Sequence, residues 1–121
     1  MLWNCLAVAL GGACGSVLRY LLGLLPLRQY DFPWITLGIN GLGAFLIGVV
    51  AALSGKYAQM DARWILFLQV GFCGGFTTFS TFSNEALGLL EAGKLLLALV
   101  YMILSVVLCL GAVFGAKCLI K

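Results

Sequence analysis

The sequence contains no histidine, only four acidic residues against seven lysines and arginines, and two prolines in 121 positions. Without histidine, the side chain that most often moves protons or holds metals near neutral pH is missing. The five cysteines, Cys5, Cys14, Cys73, Cys109 and Cys118, form no CxxC pair. They therefore indicate neither a zinc site nor a dithiol redox centre, and small apolar filling is the reading they support. Charged residues make up 9% of the chain, where a soluble domain carries about 25%. Those few charges stand at the ends of apolar runs and not in a cluster interleaved with aromatics, which argues against a nucleic-acid-binding face. No P-loop is present, which argues against a nucleotide-driven pump. No basic residue precedes Arg19, and Gly11-Gly12-Ala13 before Cys14 is a poor lipoprotein cleavage site, so the first apolar run is expected to be retained.

What the chain has is apolar length. It is 64% hydrophobic, with a mean hydropathy of +1.15. A run of about 20 apolar residues spans the hydrocarbon of a bilayer, and four such runs occur: Leu2–Leu25, ended by Pro26, then Phe32–Ser54, Trp64–Leu90 and Leu95–Ala116. The predicted fold class is an all-α membrane protein of one domain, residues 1–121, whose short connections make neighbouring helices antiparallel. Gly11/Gly15, Gly71/Gly75 and Gly111/Gly115 place small residues four apart, the spacing that lets membrane helices approach closely. Lys56, Arg63, Lys117 and Lys121 fall on one side of the membrane, with Arg28 and Lys94 on the other. That bias is weak enough for the chain to insert both ways and pair as an antiparallel homodimer.

Polar groups at membrane depth are costly and concentrate at functional paths. Asn40, among Gly38, Gly41 and Gly43, reads either as interhelical glue or as a pair of donors able to replace water around an anion. In the third run, Gly74-Gly75 followed by Thr77-Thr78 predicts a break in the helix near Gly74–Thr77, tolerated only where protein, water or an ion satisfies the freed carbonyls, as a bound cation would. Thr77, Ser80, Thr81 and Asn84 follow i, i+3, i+4, i+7 and predict one polar stripe, with Phe79 and Phe82 beside it. Those rings read as packing, or as positive edges that attract an anion without trapping it. Tyr101, Ser105 and Cys109 recur every four residues in the last run, as an interfacial tyrosine plus a serine bonded to its own backbone, or as a second wall of the polar track. Arg19 reads as a snorkelling anchor or a vestibule charge, and Glu85 as an interfacial carboxylate or a proton-sensitive pathway group.

The run Gly71-Phe-Cys-Gly-Gly-Phe-Thr-Thr-Phe-Ser-Thr-Phe-Ser83, together with Asn40-Gly41-Leu42-Gly43 and Gly15-Ser16-Val17-Leu18-Arg19-Tyr20, resembles the Fluc (CrcB) fluoride channel family over essentially the whole chain. The resemblance implies a dual-topology antiparallel homodimer in the cell inner membrane, with two parallel fluoride pores and a central structural sodium ion, exporting fluoride passively and catalysing no reaction. It implies that backbone carbonyls of Gly74 and Thr77 hold the sodium. It further implies that Asn40, Phe79, Ser80, Thr81, Phe82, Tyr101 and Ser105 line the fluoride pore, with Arg19 and Glu85 at characteristic positions beside it. Cys109 stands where some relatives have a hydroxyl residue. Two other readings of the bulk features are a proton-coupled small multidrug transporter, which would need an acidic residue in a first run that has none, and a non-conducting membrane assembly subunit.

Overall fold

A computed structural model describes residues 1–27 and 29–121, and among these only helices and turns occur. Helix α1 is Leu2–Leu22 and α2 is Trp34–Lys56. The third span comes in two halves: α3, residues 62–76, and α4, Phe79–Glu91. Helix α5 is Leu95–Leu119. By length and composition the four spans can each cross a membrane. Arg28, half of the charge expected on the second side, lies outside the described residues.

The helix ends differ from the apolar runs for local reasons. The run ended by Pro26 stops being helical at Leu22, because Pro26 lacks the N–H that would close a bond to the Leu22 carbonyl four residues back. Leu24 and Leu25 instead tighten onto the carbonyls of Leu21 and Leu22 at 3.1 and 3.2 Å. The second helix starts at Trp34 and not Phe32, since a residue before proline is pushed out of the helical region. The connection between α1 and α2 is thus residues 23–33, longer than the sequence suggested. Elsewhere the helices outlast their apolar runs: α2 to Lys56, the third span from Ala62 to Glu91, and α5 to Leu119. Lys56 and Lys117 lie in last turns, where a cation complements the carbonyl end of a helix. Asp61 starts the third span by accepting the Arg63 N–H at 2.8 Å and pairing with its guanidinium at 3.0 Å. Those hydrogen bonds hold the Asp61 carboxyl below the usual carboxylate range.

Helix α3 is not a regular α-helix. Leu66–Cys73 winds as a π-helix between α-helical Ala62–Ile65 and Gly74–Phe76, a form the sequence did not announce and one that recurs at functional sites. Its inner face lies against α1 along the glycines. A Cβ on Gly71 would stand 2.7 Å from the Val8 carbonyl oxygen, and one on Gly75 would meet the Gly12 carbonyl oxygen at 2.5 Å. A Cβ on Gly11 or Gly15 would run into the carbonyls of Phe67 and Phe72. Two of the three small-residue pairs therefore form one seam between α1 and α3. The third pair forms none, because Gly111 and Gly115 have open space beside them, and α5 meets α2 instead at Gly48, where a Cβ would stand 2.9 Å from that of Ala116.

A second centre of packing joins α2, α4 and α5: Leu37, Ala86, Leu89, Ala98 and Tyr101 are buried together, with Phe32, Phe82, Leu97 and Met102 against them. Gly93, at φ +78°, turns α4 into α5: its N–H reaches the Leu90 carbonyl and that of Lys94 the Leu89 carbonyl, at 3.0 and 2.9 Å. This is the Schellman closure that a left-handed glycine permits. Most other large apolar side chains lie on the outside, Leu2, Leu96, Leu110, Phe114 and Leu119 among them, as a chain solvated by lipid requires. The cysteines divide: Cys73 fills the interior as expected, whereas Cys5, Cys14 and Cys118 are exposed and fill nothing within the chain. Gly15→Val should part α1 from α3 and destabilise the fold by about 1–3 kcal/mol or more, while Gly55→Ala, with open space around it, should be neutral or stabilising. Thermal unfolding of the detergent-solubilised protein measures both.

Candidate functional site

The third span breaks at Thr77 and Thr78. Thr77 (φ −78°, ψ 157°) and Thr78 (φ −151°, ψ 114°) are extended, while Gly74 remains helical at φ −64°, ψ −39°. The break thus sits at the end of the expected Gly74–Thr77 segment and not across it. In an unbroken helix the Thr78 N–H would bond the Gly74 carbonyl and the Thr81 N–H the Thr77 carbonyl. Both donors are redirected. The Thr78 N–H donates to Asn40 Oδ1 at 2.8 Å, and the Thr81 N–H to Thr78 Oγ1 at 3.2 Å, an N-cap that starts α4. The carbonyls of Gly74 and Thr77 are thereby released from the helical ladder. Asn40 completes its clamp by donating from Nδ2 to the Thr78 carbonyl at 3.1 Å.

Thr77 accordingly leaves the expected stripe. It belongs to the end of α3, and its hydroxyl donates back to the Cys73 carbonyl at 2.8 Å, whereas Ser80, Thr81 and Asn84 sit on α4. Asn40 is glue, to the break; an amide carries two N–H donors, and Asn40 spends one of them on Thr78.

Two cavities meet at this break, and Thr78 lines both. The inner one, about 370 Å³, brings together Asn40, Gly74, Thr77, Phe79, Phe82 and Ser105. The outer groove, about 810 Å³, is lined by Arg19, Thr81 and Glu85, and by residues of the 23–33 connection. Phe79 and Phe82 lie side by side with ring centroids 5.6 Å apart, and Phe82 continues onto Tyr101 at 5.1 Å. Ser80 is exposed on α4 and lines neither cavity.

On the last helix, Tyr101 is fully buried within the chain, with Phe32 edge-on at 5.5 Å. Its hydroxyl stands close to Thr36 and Glu85 yet closes no hydrogen bond of regular geometry among the described residues. Ser105 does not bond its own backbone: its hydroxyl is buried without a partner among the described residues and belongs to the inner cavity wall. Glu85 is half-buried and accepts the Thr36 hydroxyl.

Three polar residues of the site were not singled out from the sequence. Thr36 and Asn40 are four apart on α2, a spacing that places both on one face and was legible. Gln69 lines the inner cavity four residues before Cys73 and eight before Thr77, and the π-helical winding that carries it had no sequence signal. Ser16, one residue after Gly15 in the glycine seam, reaches the Gly75 carbonyl at 3.5 Å. Among the described residues no group of three or more Cys, Asp or Glu could hold a metal.

Residues 6–116 match the family described as CrcB-like protein, Camphor Resistance (CrcB). This chain belongs to that family. It is 48% identical over 118 residues to the fluoride-specific ion channel FluC of Leptospira interrogans strain Fiocruz L1-130, covering 96% of this chain and 93% of the relative. It is 44% identical over 118 residues to the FluC of Agrobacterium fabrum, covering 96% and 94%. With the FluC of Nitrobacter winogradskyi it shares 48% over 112 residues, covering 91% and 89%. Family membership sets aside the multidrug-transporter reading and makes the protein a multi-pass membrane protein that is no enzyme. In this CrcB chain, Asn40→Ala should be among the costliest polar substitutions. It strands the Thr78 N–H at about 1–3 kcal/mol and takes one of two donors from the Thr78 carbonyl, whereas Thr78→Ala, which removes a cap, should cost about 0.5–2 kcal/mol. Denaturant or thermal titration of the two variants in detergent checks the order.

Proposed function

We propose that this chain is a fluoride-selective ion channel of the inner membrane, through which fluoride leaves the cytoplasm passively. Ser105 carries the reading: a buried hydroxyl on a largely apolar helix, with no partner among the described residues, on a cavity shared with Asn40, Phe79 and Phe82. An unpartnered buried donor costs about 1–3 kcal/mol, and an anion passing the cavity is a guest that would take it. Fluoride is small and strongly hydrated, so a path for it must offer donors at close range, as the second Asn40 N–H and the Ser105 hydroxyl do, while larger halides are refused by width. Phe79 and Phe82 contribute ring edges, which attract an anion more weakly than Lys or Arg and so allow release. Three relatives named as fluoride-specific channels, aligned over nine-tenths of this chain or more, support the same substrate.

The working unit in this reading is an antiparallel dual-topology homodimer with two pores and a structural sodium ion between the two breaks. The released carbonyls of Gly74 and Thr77 support the sodium site. They are hard oxygen donors lined on one cavity, of the kind that unwound membrane helices present to Na⁺, and two copies would supply four. When bound, the ion would offset the partial negative charge these carbonyls gather at the dimer centre.

Purified protein in liposomes should release fluoride far faster than chloride. Efflux no faster than from protein-free vesicles, read with a fluoride electrode, would rule the reading out. Ser105→Ala should lower the rate about tenfold or more, the equivalent of one hydrogen bond to a charged group, and Phe82→Ile should slow it while dimer assembly is retained. Dimer stability that is indifferent to complete replacement of Na⁺ would count against the sodium site.

A further inference from the structure

The outer groove has a rim that the pore residues do not explain. Asp31, in the connection before α2, lines the groove and leaves 68% of its side chain exposed. Its carboxylate would face an approaching anion with a charge of the same sign. Lys94 reaches it from the other connection on this side of the bundle, with Nζ 2.7 Å from Asp31 Oδ2. The placement of Lys94 is fixed twice by its backbone: its N–H closes the Gly93 turn on the Leu89 carbonyl, and its carbonyl accepts the Ala98 N–H as α5 begins, at 2.9 and 3.0 Å. A lysine at the start of a helix is where the helix dipole disfavours a cation, and α5 has no side-chain cap there. Helix stability therefore does not account for a positive charge at this position, and the neighbouring carboxylate does.

We propose that the Asp31–Lys94 pair sets the charge an anion meets at the mouth of the groove. Lys94 neutralises the exposed rim carboxylate, which leaves Arg19, half-buried in the lining of the same groove, to act on the ion. The proposal rests on the channel reading and adds residues that govern access to it. As an exposed pair it contributes little to folding, and its effect is read in flux.

The test compares Lys94→Gln, Asp31→Asn and the double variant with the parent protein in liposomes, at fluoride concentrations low enough for access to limit the rate. At low ionic strength Lys94→Gln should slow efflux about twofold and Asp31→Asn should speed it about twofold, the size expected from one unit charge at roughly 10 Å in water. The double variant should return to the parent rate. These differences should fade when an impermeant salt is raised toward 1 M, where screening acts over about 3 Å. Single variants that both slow efflux, with the double no faster, would make the pair a structural clasp and overturn the proposal. So would rates equal to the parent, or differences that salt does not change. A parent protein that passes no fluoride defeats the channel reading itself, whereas a conducting parent with unresponsive variants defeats only the role of the rim.

Discussion

Hydrocarbon offers no hydrogen bonds, so a chain that leaves the helical ladder inside a membrane has to supply partners for the amides and carbonyls it frees. At Thr77–Thr78 most of that supply comes from one side chain on another helix. Asn40 receives the Thr78 N–H and donates to the Thr78 carbonyl, which is what an adjacent strand would do for a residue in extended conformation. Part is local: the Thr78 hydroxyl caps α4 and the Thr77 hydroxyl bonds back to Cys73, while the Gly74 and Thr77 carbonyls gain nothing from either bond. Because Asn40 must sit level with the break, α2 cannot slide or rotate. Gly43 holds it there by admitting the Thr77 methyl and the Phe76 ring, where any side chain would collide.

The break also divides the packing. Before it, α3 lies along α1 through glycine-to-backbone contacts at Gly11, Gly15, Gly71 and Gly75. After it, α4 turns its buried Ala86 and Leu89 to α2 and α5, beside Tyr101. One span therefore serves two partners, which a straight helix cannot do. The two extended residues between the halves create the corner that both cavities share. The π-helical winding of Leu66–Cys73 fits the same demand, since a wider turn changes which residues face α1 over a short distance.

Much of this was legible in the sequence, and what was not has specific causes. Span number, order and the fact of a break followed from run length and from Gly74-Gly75 before Thr77-Thr78. Helix ends were displaced because hydropathy marks where the membrane is, while Pro26 and Pro33 mark where hydrogen bonding fails. The stripe from Thr77 to Asn84 assumed unbroken helical phase across the break, and two extended residues cancel that phase, so Thr77 fell out of it while Thr81 and Asn84 stayed on one helix. Tyr101 reads as interfacial by residue type, which gives no sign of the close packing between Phe32 and Phe82 that buries it. Thr36 was overlooked for want of a partner in its own run. That partner is Glu85, 49 residues on.

The polar residues of the site then separate by whether their donors are already committed. Thr77 and one N–H of Asn40 donate to backbone, Thr78 donates to the Thr81 hydroxyl, and Thr36 donates to Glu85. These groups build walls, and a passing ion could use them only by breaking structure. Among the described residues the Ser105 hydroxyl has no partner and Asn40 spends one of its two N–H donors, and both residues line the inner cavity. A strongly hydrated anion exchanges water for protein at little net gain, so its path has to be assembled from donors whose use costs the fold nothing. On the channel reading, removing Ser105's hydroxyl should cost conduction and leave stability equal or higher, since it deletes a buried donor without a partner among the described residues, while removing Asn40's amide should cost both. The two roles coincide at Asn40 because the residue that repairs the break also stands where the cavity opens.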